Sequence, residues 1–141
     1  MVRFFSQDTS FDINNKLPVK KWIKNIISAY NCRQGEISVI FCSDSYMLDI
    51  NRRYLNHDYY TDIITFDYCE GAVVSGDLFI SVDTVKANAE FYAVPFTDEL
   101  YRVIIHGVLH LLKEDDITDD QKMHMRRAED DALRVLKELL N

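Results

Sequence analysis

The sequence has little of the residues that build linkers and flexible connections. Among its 141 residues are only four glycines and two prolines. No repeat, low-complexity run or change in composition marks a boundary, so the sequence predicts one domain over residues 1–141. Hydrophobic residues make up 48% of the chain, enough to bury a sizeable core, and 28% are charged, which favours a soluble protein.

Long apolar segments and paired cysteines are missing too. No stretch approaches the ~20 apolar residues that a membrane helix needs, and residues 1–10 lack the apolar core of a secretory signal. The cysteines (Cys32, Cys42 and Cys69) are odd in number and form no C-x-x-C pair, which excludes a disulfide framework and a zinc ribbon. We therefore expect a cytoplasmic protein with reduced, buried cysteines and no membrane partner.

A net positive charge is also lacking, since the formal net charge is −7. Residues 1–60 carry eight Lys/Arg and six Asp/Glu, a balance of +2, whereas residues 61–141 carry eight and seventeen, a balance of −9. An acidic chain repels polyphosphate at long range, so a nucleic-acid substrate requires local cations or a metal. Lys20, Lys21 and Lys24 lie off the apolar stripe of their helix and are interpreted as a solvated face.

Apolar periodicity predicts an alternating series of strands and helices. Strands are expected at residues 2–5, 36–42, 62–67 and 77–82, and helices at residues 18–30, 43–55, 83–92, 97–112 and 118–139. Asp83 and Thr97 are the expected N-caps of the third and fourth helices, and Thr118 with Gln121 predicts a capping box at the fifth. The two close strands suggest an antiparallel hairpin, and the earlier strands suggest parallel crossovers. The sequence therefore predicts an α/β (α+β) fold with a mixed sheet of about four strands and five surrounding helices.

The helix predicted over residues 97–112 is apolar on nearly all sides, which is typical of a buried helix. It carries His106 and His110, whose i, i+4 spacing puts their Cβ atoms ~5–6 Å apart on one face. Two such imidazoles can bind one ion at the ~2.0–2.1 Å that zinc prefers. Hydrogen-bonded core histidines explain a bare H-x-x-x-H about as well.

Gly107, between the two histidines, limits which class of metal enzyme the motif can belong to. It weakens the helix by ~1 kcal/mol relative to alanine, which implies that another backbone or a ligand approaches closely there. In an H-E-x-x-H metalloprotease this position holds the general base. A glycine there excludes a protease of that type.

Four acidic residues follow the histidines and favour a metal site: Glu114, Asp115, Asp116 and Asp119. A carboxylate among them is a suitable third ligand for zinc. If the helix continued, residue 116 would lie ~240° around the axis from residue 110. We therefore expect the helix to end near residue 112 and the chain to turn back toward the histidines.

Three blocks of the sequence resemble the signatures of the YbeY-type endoribonucleases. H-G-V-L-H-L-L at 106–112 resembles H-G-x-L-H-L-x-G-Y-D-H, and G-D-L-F-I-S at 76–81 resembles G-D-I-x-I-S. N-R-R-Y at 51–54, followed by T-D-I-I-T-F at 61–66, is similar to L-N-x-x-Y-R…T-D-V-L-S-F. The order and spacing of the blocks agree over roughly residues 48–135.

The resemblance implies a cytoplasmic endoribonuclease that depends on one Zn²⁺ per chain. The implied ligands are His106, His110 and Asp116, the last at the family's third histidine position. A water in the open coordination position, with its pKa lowered toward ~7, would attack the phosphodiester, while the sequence names no protein general base. The implied partners are single-stranded RNA and the ribosomal small subunit, with roles in maturation of the small-subunit rRNA 3′ end and in ribosome quality control. Duplex DNA is not expected to bind.

The departures from the family pattern leave two questions open. The family's glycine after the helix falls on Lys113, and a glycine there would suit a left-handed helix cap. Either Lys113 adopts a strained left-handed backbone conformation, or the turn differs from the family's. In the second case, Asp115 or His124 would replace Asp116 as the third ligand.

The family's arginine after the tyrosine falls on Leu55, so Arg52 and Arg53 are the predicted substrate-binding residues. Two other functions stay open: a metallohydrolase of a peptide or small amide, and a ribosome-binding protein with a structural metal. Four protein ligands would favour a structural site, and three with an open position would favour an enzyme.

Overall fold

The computed structural model describes residues 1–55 and 61–141. The described residues form four strands: β1 (Val2–Ser6), β2 (Arg33–Cys42), β3 (Ile63–Asp67) and β4 (Val73–Ser81). They also form five α-helices: α1 (Lys16–Ala29), α2 (Asp44–Ile50), α3 (Val82–Tyr92), α4 (Phe96–Leu111) and α5 (Asp119–Leu140). A π-helical turn, Asn51–Leu55, continues α2. The order of strands and helices along the chain is the predicted one.

The strands form one mixed sheet in the order β1-β2-β4-β3. β1 and β4 each pair with β2 in parallel, and β3 pairs with β4 in antiparallel orientation. The predicted crossovers and hairpin are therefore confirmed. Because Ile63 lies opposite Ile80, the edge strand β3 begins where β4 ends. There the amide of Ser81 donates to the carbonyl oxygen of Asp62 at 2.9 Å.

Two glycines let α4 lie close against the sheet. A Cβ on Gly107 would lie 2.7 Å from Cδ1 of Ile63 and 3.0 Å from Leu78. A Cβ on Gly76 of β4 would lie 2.5 Å from the carbonyl oxygen of Phe66 and 2.9 Å from Leu111. A close approach at Gly107 is thus confirmed, but side chains of β3 and β4 make it rather than the expected backbone or ligand. This contact holds the histidine helix next to the edge strand.

The core lies between this face of the sheet and helices α1, α3, α4 and α5. Its largest fully buried side chains are Trp22, Phe41, Ile23, Ile27, Ile37, Leu78, Ile80, Leu100, Ile104, Ile105 and Leu109. Nε1 of Trp22 donates to the carbonyl oxygen of Ala132 at 2.7 Å, which ties α1 to α5. α4 is buried along most of its length, as its apolar sequence predicts.

Two predicted helix caps are wrong. Ser81, rather than Asp83, caps α3 by accepting a hydrogen bond from the amide of Thr84 at 3.2 Å. Pro95, rather than Thr97, is the N-cap residue of α4. Asp83 and Thr97 lie inside the first turns, where a short polar side chain is also common, so the sequence pattern misplaced both starts.

Other boundaries differ by a few residues. α1 begins at Lys16, so Pro18 lies within its first turn, where the missing N–H leaves no bond unmade. β2 and β4 begin three and four residues before the predicted starts, at Arg33 and Val73. The capping box predicted at Thr118 is confirmed, with its hydroxyl accepting from the amide of Gln121 at 3.1 Å.

In the described part of the chain, no helix combines the length and apolar character that a membrane crossing requires. All three cysteines have free thiols. Cys42 is buried, as predicted, whereas Cys32 and Cys69 are only half-buried.

Candidate active site

The chain turns back directly after α4, as predicted. The amide of Lys113 donates to the carbonyl oxygen of His110 at 3.0 Å, and the amide of Glu114 donates to that of Leu109 at 3.0 Å. These two bonds form a Schellman motif. Lys113 takes the left-handed conformation that this motif requires, with φ of 72°. The turn that glycine favours therefore forms with lysine at this position, so the residues after it keep the alignment with the family motif in which Asp116 stands at the third ligand position.

The turn brings Asp116 back to the two histidines. The Nε2 atoms of His106 and His110 lie 3.0 Å apart. Oδ2 of Asp116 lies 3.4 Å from the first nitrogen and 3.5 Å from the second. Ligand atoms around a tetrahedral zinc, each at ~2.0–2.1 Å, stand about 3.3 Å apart. The three side chains thus have the chemistry and spacing of a zinc-class site, although their role as ligands stays a prediction.

Glu129 of α5 supports the first histidine from behind. Its Oε2 lies 2.7 Å from Nδ1 of His106, and its Oε1 accepts from Arg102 at 2.9 Å. An ionised carboxylate only accepts, so the proton of the first bond belongs to Nδ1. In the neutral ring, Nε2 then carries the lone pair, and this nitrogen faces His110 and Asp116. Such carboxylate–histidine pairs are typical of metal sites.

Glu129 was not among the predicted site residues, although its place in the sequence carries a signal. Only 5% of this residue is exposed. It lies four residues after Met125 and three before Ala132, on the apolar stripe of α5, whose members are buried. A carboxylate at a buried helical position needs a partner. The partner itself could not be read from the sequence, because it lies on another helix.

The electrostatics of the site follow from its burial and its carboxylates. Burial alone would lower the pKa of His106, but the hydrogen bond and charge of Glu129, with the charges of Asp116 and Asp62, raise it above its usual value. Burial raises the pKa of Asp62, against the opposing effect of His106. The protonated forms of His106 and Asp62 are therefore both favoured relative to the free side chains.

A cleft of about 420 Å³ opens beside these residues. It is lined by Asn51, Leu55, Thr61, Asp62, Ile63, Ile64, Thr65, His106, His110 and Asp116. Its walls are the π-helical turn, the start of β3 and the end of α4. π-helical turns occur frequently at functional sites, and here the turn places Asn51, which is 1% exposed, at the cleft.

The other proposed ligands are not brought to the histidines. Asp115 is exposed and lies outside the group. Nε2 of His124 lies 2.6 Å from Oε2 of Glu114, which also accepts from the hydroxyl of Tyr30 at 3.1 Å. Among the described residues, His106, His110 and Asp116 form the only group of three or more His, Cys, Asp or Glu side chains spaced to hold one ion.

The predicted substrate-binding arginines lie next to the cleft rather than in it. Arg52 and Arg53 are exposed on the π-helical turn, whereas Leu55, at the end of that turn, lines the cleft. Nε of Arg53 lies 3.2 Å from Oδ2 of Asp49. Both side chains of this pair are more than half exposed, so the ion pair contributes little to stability.

Lysines of α1 were interpreted as a solvated face. Lys21 and Lys24 are exposed, as predicted, and Lys20 is half-buried. Nζ of Lys20 lies 6.0 Å from the centroid of the Phe4 ring. None of the three lines the cleft in the described part of the chain.

Comparison with known proteins places this arrangement in a family. A family model described as Endoribonuclease YbeY matches residues 4–137. The chain is 54% identical over 120 residues to an Endoribonuclease YbeY of Bacteroides thetaiotaomicron, covering 85% of this chain and 88% of the relative. It is 48% identical over 136 residues to that of Phocaeicola vulgatus, covering 96% and 99%.

The fold has a counterpart among solved structures. The solution structure of TM1509 from Thermotoga maritima superimposes with a TM-score of 0.66 at 20% sequence identity, covering 98% of this chain and 93% of the other. Identity at that level shows a shared fold. The match over residues 4–137 and the identities near 50% show more: this chain belongs to the endoribonuclease YbeY family.

Proposed function

We propose that this protein is a metal-dependent endoribonuclease that cleaves single-stranded RNA in the cytoplasm, acting as one domain over residues 1–141. One observation carries the proposal: His106, His110 and Asp116 converge at a cleft of about 420 Å³ in a chain of an endoribonuclease family. Three ligands beside an open cleft favour an enzyme over a structural metal.

The metal is Zn²⁺, one per chain, held by the two Nε2 atoms and the Asp116 carboxylate. Two imidazoles and one carboxylate are a donor set of catalytic zinc sites, and the separations of 3.0–3.5 Å suit a tetrahedral ion. When bound, zinc supplies Lewis-acid chemistry that acidifies a water and offsets negative charge on phosphoryl oxygens.

The chain's own residues supply the remaining steps. Glu129 holds His106 in the tautomer whose Nε2 faces the centre. The Asp62 carboxylate accepts the proton of the attacking water, because it lines the same cleft and burial raises its pKa toward the range in which a general base is effective. The buried side chain of Ile64 and the half-buried side chain of Ile63 line the same cleft and exclude water from that wall.

Arg52 and Arg53 bind phosphates of the RNA next to the cleft. A chain of net charge −7 has no bulk field that would hold a duplex, so contact with phosphate is local. Within RNA, the substrate is ribosomal RNA, above all the 3′ end of the small-subunit rRNA, with the small subunit as partner and a role in ribosome quality control. The resemblance of the three sequence motifs supports this last step.

A substrate panel tests the proposal. The zinc-loaded protein should cleave a labelled single-stranded RNA and leave the same sequence intact as an RNA duplex or a DNA duplex. Hydrolysis of a peptide or small amide with the RNA untouched would instead support a different hydrolase. Ribosome binding without cleavage of any substrate would support a structural metal.

Charge-removing variants test the phosphate contacts. Replacing Arg52 and Arg53 together by alanine should weaken RNA binding and reduce its salt slope by up to ~2. Metal content should not change. Replacing the exposed Lys21 and Lys24 of α1, which do not line the cleft, by alanine removes the same charge and is the matched control. Equal losses in the two double variants would show that the effect is one of net charge.

A further inference from the structure

A row of four aromatic rings crosses the sheet on the face opposite α4. The ring of Tyr54 packs edge-on against Phe66 of β3, with centroids 5.9 Å apart. Phe66 packs edge-on against Phe79 of β4 at 5.7 Å, and Phe79 stacks on Tyr46 of α2 at 6.3 Å. Side chains alternate along a strand, and Leu78 faces Gly107 of α4, so Phe79 lies on the other face.

The exposed member of this row is Tyr54, at the end next to the edge strand β3. Tyr46, Phe66 and Phe79 are partly buried around a small cluster with Met47, whereas Tyr54 is 67% exposed. The edge-on contact with Phe66 supports the Tyr54 ring from the protein side and leaves much of its surface to solvent. A ring already held in place loses little conformational freedom when a second ring stacks on it.

The position of Tyr54 distinguishes it from other exposed aromatic residues. The next residue, Leu55, lines the cleft, and the two preceding residues are Arg52 and Arg53. The strand under the ring, β3, contributes Ile63, Ile64 and Thr65 to the same cleft. By contrast, the exposed Tyr92 lies at the far end of α3, outside the cleft.

We propose that Tyr54 is a base-stacking platform for a nucleotide of single-stranded RNA next to the one at the cleft. This inference rests on the proposed function and assigns one of its substrate contacts. Cations beside an exposed aromatic ring are the combination by which proteins hold a single strand: the cations track phosphates, and a base stacks on the ring. The platform selects unpaired RNA, because a base paired in a duplex presents no free face.

Binding measurements on the metal-free full-length protein test the platform without cleavage. Tyr54→Ala should bind a short labelled single-stranded RNA about tenfold or more weakly, as loss of one base–aromatic stack does. Tyr54→Phe and Tyr54→Trp should bind at least as well as wild type, because they keep the ring. Tyr92→Ala, which removes a tyrosine that is 61% exposed elsewhere, should bind like wild type.

An abasic series then locates the contact. Single abasic substitutions along the RNA should abolish the difference between wild type and Tyr54→Ala at one position only. Loss of affinity in Tyr54→Phe equal to that in Tyr54→Ala would overturn the platform, since the hydroxyl would then be the binding group. Wild-type affinity in Tyr54→Ala, with cleavage by the wild-type enzyme intact, would overturn the platform and leave the nuclease proposal standing. If the variants show the expected affinities but the wild-type enzyme cleaves no RNA, the platform would stand and the nuclease proposal would fail.

Discussion

Asp116 stands where the family motif has its third histidine, and its carboxylate lies 3.4 and 3.5 Å from the two Nε2 atoms. Asp116→Ala should weaken zinc binding by more than about 100-fold, since loss of an outer-shell partner alone costs about 10–100-fold. Asp115→Ala is the matched control and should bind zinc like wild type, because Asp115 is exposed and outside the group. Competition with a chromophoric chelator measures both affinities, and the opposite ranking would contradict the assignment.

Asp62 allows a test of the proton acceptor. Asp62→Asn should lower kcat by about 10²–10⁴-fold and leave the zinc content unchanged.

The stability of the same variant can also be predicted. Burial raises the pKa of Asp62 in the folded protein. A carboxyl with a raised folded-state pKa favours the fold at low pH, and that contribution is lost as pH rises through the raised value. The variant should therefore be no less stable than wild type at pH 7. A variant with wild-type kcat would exclude Asp62 as the base.

At the scale of elements, the turn after α4 lowers the stability of the fold, because Lys113 adopts a left-handed backbone conformation. A non-glycine residue in the left-handed region costs about 1 kcal/mol, and Lys113 has φ of 72°. The ammonium group of Lys113 pairs with Asp67, but both groups are exposed, so this ion pair offsets only part of the conformational cost. Lys113→Gly should raise the free energy of unfolding at pH 7 by somewhat less than about 1 kcal/mol, measured by denaturant titration.

The pH dependence of this gain has a defined sign. The hydrogen bond from Lys113 lowers the pKa of Asp67 from 3.8 to about 2. A lowered folded-state pKa contributes stability above the unfolded value, and that contribution is lost as pH falls through about 2. The advantage of Lys113→Gly should therefore be larger at pH 3 than at pH 7. Asp67→Asn removes the pair alone, and a Lys113→Gly protein less stable than Asp67→Asn would contradict the argument.

The contact between α4 and α5 sets the orientation of the first histidine. Glu129→Gln keeps the size of the side chain but removes the charge that fixes the Nδ1 proton of His106, so zinc affinity should fall by about 10–100-fold. Asp130→Asn is the control, because Asp130 binds Arg102 at 2.6 Å without touching His106. Isothermal titration with zinc measures both, and equal affinity of Glu129→Gln and wild type would exclude the orienting role.

Local patterns predicted the elements better than their ends. The apolar periodicity of α4 predicted a buried helix, and the i, i+4 spacing predicted that His106 and His110 share one face of it. The need to return Asp116 toward them predicted the end of the helix near residue 112. Whether Lys113 would accept the left-handed conformation was not predictable, because its cost of about 1 kcal/mol is within what packing of the turn offsets. The starts of α3 and α4 were misplaced because several polar residues there satisfy the same capping rule.

At the scale of the whole molecule, the sequence predicted a mixed sheet of about four strands but not its order. The order β1-β2-β4-β3 puts β3 at the edge, and this position leaves the cleft open between β3 and α4. Strand order depends on packing between distant segments, which local patterns do not encode. For the same reason the sequence named no general base: the residue proposed for that role, Asp62, lies at the cleft because the hairpin holds its backbone beside the end of β4.

The two halves of the chain, which differ in net charge, both contribute to the region around the cleft. His106, His110, Asp116 and Asp62 belong to the half of the chain with a balance of −9, and Arg52 and Arg53 to the half with +2. The fold brings the π-helical turn of the basic half to the cleft of the acidic half. The predicted family and endoribonuclease class are confirmed by the comparisons, while the metal, the ligands and the phosphate contacts stay predictions.

Cleavage by the wild type and by His110→Ala tests the central claim most directly. Both proteins are purified identically, loaded with zinc, assayed for metal and incubated with a labelled single-stranded RNA. His110 supplies one of three ligands, so the variant should hold no zinc after desalting and leave the RNA intact, while the wild type carries one zinc-class ion per chain and cleaves. Equal cleavage by the two proteins, or an unchanged metal content in the variant, would contradict the account.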